Sequence, residues 1–340
     1  MKATKNDHSY KKEKSKDEDI FVKTSKKKKL IHNFGTYDGT SNNKKMTVTK
    51  SKNTKKPTFR GIVDQLVVKN NEVNTNTVKK CLLIGINYTG TNSQLNGCIN
   101  DSENLKVFLT NSKYFTEDEI TMMNDLEKGN LYPTKENILN QLFEIVKFAK
   151  ANKGKQVRLF ISYSGHGTSV TDKNGDESDG YDEALCPIDY QKSGFIADDD
   201  IKTNLINKLP ENVKLLMLVD ACHSATMLDL KYSYMANSKN TYTVHAKNLA
   251  TFCDIISISG CRDNQTSADA WEFDPHQNKS EAQGAMTASF LATYTDNISY
   301  HALINKIREW LQTKKYAQVP QLTSGKLVDI DSKFILSSFK

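Results

Sequence analysis

Nothing in this chain of 340 residues approaches the roughly 20 consecutive apolar residues that a bilayer-spanning helix requires. The opening stretch, Met1 to Tyr10, is polar and lacks the apolar core of a secretory signal. Cysteine is sparse, at six residues, and no two form a CxxC pair. Four of the six lie inside or beside apolar runs, so a disulfide framework is not expected. The histidines do not pair with cysteines at zinc-ligand spacing, and no EF-hand spacing is present. These absences point to a soluble intracellular protein with reduced thiols and no membrane partner, placed in the cytoplasm.

Charge is abundant but unevenly spread. Residues 1–60 hold 18 Lys+Arg against 6 Asp+Glu, a net of +12, whereas the remaining 280 hold 29 against 34, a net of −5. The head is rich in Lys, Asn, Ser and Thr, with neither a helical nor a strand period. Such a segment cannot bury enough surface to offset its ordering entropy. The chain therefore divides into a basic low-complexity extension, 1–60, and a globular domain, 61–340. Lys26 to Lys29 form a basic block of the kind that serves nuclear import or nucleic-acid contact. No aromatic residues interleave with the lysines, so a solvated tail is the expectation and a nucleic-acid partner is not.

Within the globular part, apolar runs alternate with helical periodicity. Lys80 to Ile86, 156–163, 214–219 and 254–259 read as buried strands. Asn100 to Leu109 has Leu105, Phe108 and Leu109 on one helical face. Pro133-Thr134 opens a second helix, with Thr134 as its cap and Ile138, Leu142, Ile145 and Phe148 at helical spacing. A long polar loop follows 163, then a helix from about Asp199 to Lys208. Helices over Ala285 to Tyr294 and Ser299 to Thr313 close the domain. Continuous apolar strands with intervening helices predict an α/β/α sandwich around a mostly parallel sheet. The polar stretches Lys231 to Lys247 and Ala270 to Gly284 read as surface loops.

Two of the strands end on reactive groups. Tyr163-Ser164-Gly165-His166-Gly167 follows one apolar run, and Asp220-Ala221-Cys222-His223-Ser224 follows another. In open α/β sheets this carboxyl edge is where ligands bind. A thiol with an ordinary pKa of about 8.5 needs a base to act as a nucleophile at neutral pH. His166 can be that base for Cys222 and can later protonate a leaving amine. The backbone N–H groups of Gly167 and Cys222 are a natural pair of oxyanion donors. The plainer alternative is an inert cysteine and a hydrogen-bonded loop histidine.

These motifs, with Ile84 to Tyr88 and Leu95 to Asp101 upstream, resemble a metacaspase. Ser259 to Ala268 and Gln318 to Leu322 downstream extend the resemblance, which covers about residues 78 to 340 in one order. It implies a caspase-like fold, a monomer, and a cysteine endopeptidase that cuts proteins or peptides after Arg or Lys. His166 and Cys222 match the family's dyad, and Cys98, Asp101, Ser164 and Asp220 match its S1 pocket. Physical reasoning favours the same specificity, because two carboxylates meeting beside a nucleophile invite a cationic side chain. Asp101 could equally be a helix N-terminal acid offsetting the macrodipole.

Asp172, Asp176, Glu177, Asp179, Asp182 and Glu183 crowd one stretch, and Asp198 to Asp200 follow. Repeated carboxylates suit Ca²⁺, although Asp198 to Asp200 also read as a helix start. The resemblance implies a calcium site at Asp182, Asp198, Asp199 and Asp229. An extended basic head that can lie across an acidic cleft suggests self-processing of a zymogen, with Lys55, Lys56 and Arg60, and Lys279 in the late loop, as candidate cut positions. The chain departs from the family at Ala225, where Gly is usual. That departure is the basis for an alternative, a catalytically weak or silent caspase-like scaffold. No long insertion separates the two halves, which matches the compact single-chain form.

Overall fold

The computed structural model describes residues 20–23, 76–172, 180–221, 227–234, 241–245, 248–260, 269–274 and 279–340. For 20–23, 241, 269–274 and 279–283 only the backbone is described. Contacts divide the chain into one unit of Met1–Lys23 with Thr77–Lys340, and a second, Thr24–Asn76. The elements below all belong to the first.

The strands in chain order are β1 (Ile20–Lys23), β2 (Thr77–Gly85), β3 (Ile120–Asn124), β4 (Gln156–Ser164), β5 (Gly167–Thr171), β6 (Tyr181–Leu185) and β7 (Ile196–Ala197). After them come β8 (Val213–Asp220), β9 (Tyr232–Tyr234), β10 (Thr241–Val244), β11 (Asp254–Ser259), β12 (Asp269–Asp274), β13 (Lys279–Gly284) and β14 (Gln321–Ser324). The helices of seven or more residues are α1 (Cys98–Asn111), α2 (Lys135–Ala151), α3 (Asp198–Asn204), α4 (Ala285–Thr293) and α5 (Tyr300–Thr313).

The central sheet has nine strands in the order β1-β10-β9-β14-β11-β8-β4-β2-β3. From β3 to β11 the pairings are parallel, and beyond β11 they are antiparallel. Period-two alternation sends each parallel strand into two cores. On β4, Val157, Leu159, Ile161 and Tyr163 face one way and Phe160 the other; on β8, Leu215, Met217 and Val219 oppose Leu216 and Leu218. α2 and α3 cover the first face through Ile138, Leu142, Ile145 and Ile201. α1, α4 and α5 cover the second through Leu105, Leu109, Phe290, Leu303 and Ile307. This is the expected three-layer, caspase-like α/β/α sandwich.

The helix starts follow from their caps. Thr134 accepts from the Asn137 amide at the head of α2, as its place after Pro133 predicts, and Ser299 accepts from Ala302 at the head of α5. The helix expected from Asp199 to Lys208 is shorter, ending at Asn204 before a 3₁₀ turn over Ile206–Lys208.

Three stretches expected as loops contain strands. The polar segment after β4 carries β5, β6 and β7, which form a separate antiparallel sheet. Lys231 to Lys247 holds β9 and β10, and 270–284 holds most of the β12–β13 hairpin. β1 lies within the basic head and pairs antiparallel with β10, although no strand period marks it in the sequence.

Candidate active site

The β4–β8 register places Ser164 opposite Asp220. His166 stands two positions beyond this rung, at the carboxyl edge of the parallel strands, and Cys222 follows Asp220 by two positions in the sequence. Gly165 N–H donates to the Asp220 carbonyl at 3.3 Å, tying the His166 turn to the end of β8. Cys222 and Ala225 lie outside the described residues.

His166 is held through its ring and its backbone. Nε2 lies 2.7 Å from the Ser93 carbonyl oxygen. A carbonyl only accepts, so Nε2 carries the proton and Nδ1 is left with the lone pair. Gly167, which opens β5, faces Leu185 on β6. Because Cys186 N–H donates to the His166 carbonyl at 3.1 Å, Gly167 and Leu185 form a non-hydrogen-bonded pair. The Gly167 N–H therefore points away from β6, as an oxyanion donor would require.

On the face covered by α1 and α4, two acids converge. Asp101, in the first turn of α1, is 1% exposed, and Asp220, at the end of β8, is 3% exposed. Ser164 Oγ donates to Asp101 Oδ2. Gly284 N–H donates to Asp101 Oδ1 at 2.8 Å, and Thr287 N–H to Asp220 Oδ2 at 2.8 Å. Both amides belong to the start of α4, whose dipole favours negative charge there. A Cβ at Gly284 would collide with both carboxylates, so only glycine lets the backbone pass between them. The acid pair is thus solvated by fixed donors, where the sequence alone suggested two charges awaiting a cation. Cys98, the fourth expected pocket residue, is buried at the start of α1.

Three residues of the loop after β2 that carry this geometry were not singled out in the sequence. Asn87 accepts from the Cys98 and Ile99 amides at 2.9 and 3.2 Å, capping α1 from outside the helix. Ser93 acts through its carbonyl, which no side-chain pattern reveals. Tyr88 lies against the His166 ring, with centroids 4.7 Å apart. The only hint was the run Ile84 to Tyr88 emerging from a buried strand.

Three of the acids cluster. Asp198, Asp199 and Asp229 bring carboxylate oxygens within 4.8 Å of one another. Asp198 Oδ2 accepts from Glu183 N–H at 2.9 Å, and Oδ1 from Asp199 N–H at 2.6 Å. Burial, with the Asp229 charge beside it, pushes the Asp198 carboxyl up to about 8. Lys202 Nζ stands 3.1 Å from Asp229 Oδ2. Asp182 is buried on β6 next to Glu183 but is not one of the three clustered acids. A crowded, partly buried set of hard oxygen donors that already draws an ammonium fits a divalent cation such as Ca²⁺. Of the acidic stretch, 173–179 lies outside the described residues. So do Lys55, Lys56 and Arg60, while Lys279 opens β13 rather than a loop.

A strand end tied to a histidine turn and carrying one of two converging acids, on this α/β/α frame, has the form of a caspase-like peptidase. The crystal structure of a protein from Geobacter sulfurreducens superposes with a TM-score of 0.52 at 23% identity, covering 76% of this chain and 98% of that one. The family model described as metacaspase, peptidase C14 domain matches residues 79–231. Metacaspase-1 of Meyerozyma guilliermondii is 36% identical over 306 residues, covering 76% of this chain and 72% of its own length. Metacaspase-1A of Neurospora crassa is 36% identical over 306 residues, and Metacaspase-1 of Yarrowia lipolytica 37% over 305. Each alignment covers 76% of this chain, and 65% and 64% of those proteins. The chain belongs to the metacaspase family of cysteine peptidases. No helix among the described residues is long and apolar enough to cross a membrane.

Proposed function

We propose that this chain is a calcium-dependent endopeptidase that cuts after Arg or Lys through His166 and Cys222. The convergence of Asp101, Asp220 and Ser164 on the same sheet edge as His166 carries this reading. An arginine or lysine side chain entering there meets two carboxylates held by fixed donors, and a charged hydrogen-bonded pair is stronger than a neutral one. An acidic P1 side chain meets repulsion instead.

In the reaction, Nδ1 of His166 takes the Cys222 thiol proton, and the sulfur attacks the scissile carbonyl carbon. The oxyanion is received by the N–H groups of Gly167 and Cys222. His166 then returns the proton to the departing amine, leaving a thioester. Water attacks the thioester, His166 accepting the water's proton and passing it to the thiolate as the acid is released. The Ser93 carbonyl stabilises the imidazolium between these transfers.

Asp198, Asp199 and Asp229 would hold Ca²⁺, with Asp182 beside them on β6. Bound there, the ion would neutralise the crowded carboxylates and link α3 to the segment that follows Cys222. The basic extension is the natural first substrate, with Lys55, Lys56 and Arg60 ahead of the domain and Lys279 within it, and the enzyme works as a monomer.

Hydrolysis of a short Arg-terminated fluorogenic peptide, titrated with calcium, tests the reading. Turnover should require calcium and vanish in Cys222→Ala, with Asp199→Ala unresponsive to the ion. No turnover at millimolar calcium would favour the silent scaffold suggested by Ala225. The Cys222→Ala protein should stay full length with calcium; clipping at the wild-type rate would exclude self-processing.

A further inference from the structure

We infer that Tyr88 is a positioning residue for His166, fixing the imidazole and its turn so that Nδ1 is the base. This rests on the proposed His166–Cys222 chemistry. Tyr88 has φ 52°, a left-handed conformation that is strained for an aromatic residue. It directly follows Asn87, which caps α1, so the chain is held at the point where it bends. The side chain is 1% exposed.

From that backbone the phenol reaches the His166 turn three ways. Its ring lies against the imidazole at 4.7 Å. Its Oη accepts from the His166 N–H at 3.0 Å and donates to the Cys186 carbonyl at 2.6 Å. Tyr163, 3.1 Å away between hydroxyl oxygens, donates to the His166 carbonyl at 2.9 Å. The same carbonyl accepts from Cys186 N–H at 3.1 Å. The N–H and the carbonyl of His166 are therefore both held, and its ring packs against a tilted aromatic ring.

This arrangement accounts for the glycine in the motif. A Cβ at Gly165 would lie 2.8 Å from Tyr163 Oη and 3.0 Å from Tyr88 Oη, so a larger residue would displace the hydroxyls. Burial holds both phenols well above the ordinary tyrosine range, so they remain neutral donors throughout the working range of the enzyme. A structural tyrosine needs one partner for its hydroxyl. Tyr88 brings both its hydroxyl and its ring to His166, with Cys186, Tyr163 and Tyr190 as its other partners.

Tyr88→Phe keeps the ring and removes the hydroxyl. On an Arg peptide with saturating calcium, kcat should fall about tenfold or more, while KM changes less than twofold, the mark of a group that acts on the chemical step. Long-range ¹H–¹⁵N NMR of the wild type should show His166 as the Nε2–H tautomer, and the variant a mixture. Gly165→Ala, which keeps the Tyr88 residue but displaces both hydroxyls, should reproduce the kcat loss. Wild-type kcat in Tyr88→Phe, or an Nδ1–H tautomer in the wild type, would overturn the inference. His166→Ala separates the two layers of the argument: residual turnover in that variant refutes the dyad itself, whereas its silence alongside an unaffected Tyr88→Phe refutes only the role of Tyr88.

Discussion

Lys202 stands where a metal ion would be drawn. Its ammonium lies 3.1 Å from Asp229, whose side chain is 3% exposed. Any cation entering among Asp198, Asp199 and Asp229 must break this pair and expel a partly buried ammonium into water. Lys202→Gln keeps the stem and removes the competitor. It should tighten calcium binding about five- to tenfold, equivalent to roughly 1–1.4 kcal/mol, measured by titration calorimetry; unchanged affinity would mean the lysine leaves at no cost. Asp198 makes a second prediction. Its carboxyl is raised from 3.8 to about 8 in the folded chain, so between those values the folded state keeps a proton that the unfolded state has lost. This group's contribution to stability is full below pH 4 and declines as pH rises toward 8. In chelator, Asp198→Asn should show a flatter Tm between pH 5 and 8 and a higher Tm than wild type at pH 8, and calcium should no longer stabilise it.

At the scale of elements, the junction of β13 with α4 governs the acid pair. Gly284 supplies one amide and leaves no side chain between the carboxylates, and Thr287 supplies the other. Gly284→Ala should destabilise the fold by about 1–3 kcal/mol through overpacking, seen in urea unfolding, and raise KM for Arg peptides more than kcat is lowered. A stable variant with wild-type KM would separate this junction from substrate recognition. β2, β4, β8 and β11 were legible because each is buried on both faces and reads as a largely apolar run, as in Leu215 to Val219. β3, also paired parallel, went unread because it is short and Ile120 to Met122 are only half-buried. β5, β6, β9 and β10 were not legible either, because Gly167-Thr168-Ser169 and Thr241-Tyr242-Thr243 belong to short strands with polar or small residues on one face. The site divides in the same way. His166, Asp101 and Asp220 announce themselves by side chain, whereas Ser93, Gly284 and Thr287 act through backbone groups that any residue carries.

Across the whole molecule, the two cores determine which thiols can react. Cys81, Cys98, Cys186 and Cys253 are buried. Burial raises the Cys81 thiol well above its ordinary value and pushes Cys253 up to about 12. Iodoacetamide on the native protein should leave all four unlabelled while modifying Cys222, read by peptide mass spectrometry. Labelling of Cys81 or Cys253 before denaturation would contradict the packing on both faces of the sheet.

The acid pair draws on α1, β4, β8, β13 and α4, so its parts are scattered from Asp101 to Thr287 along the chain. Synthesis proceeds from the amino end, so Asp101 and Asp220 leave the ribosome before the Gly284 and Thr287 amides that orient them. A nascent chain that stops just short of Gly284 has both carboxylates but neither of the amides that hold them. The order of the sequence thus leaves the acid pair without its fixed donors until the start of α4 has been made.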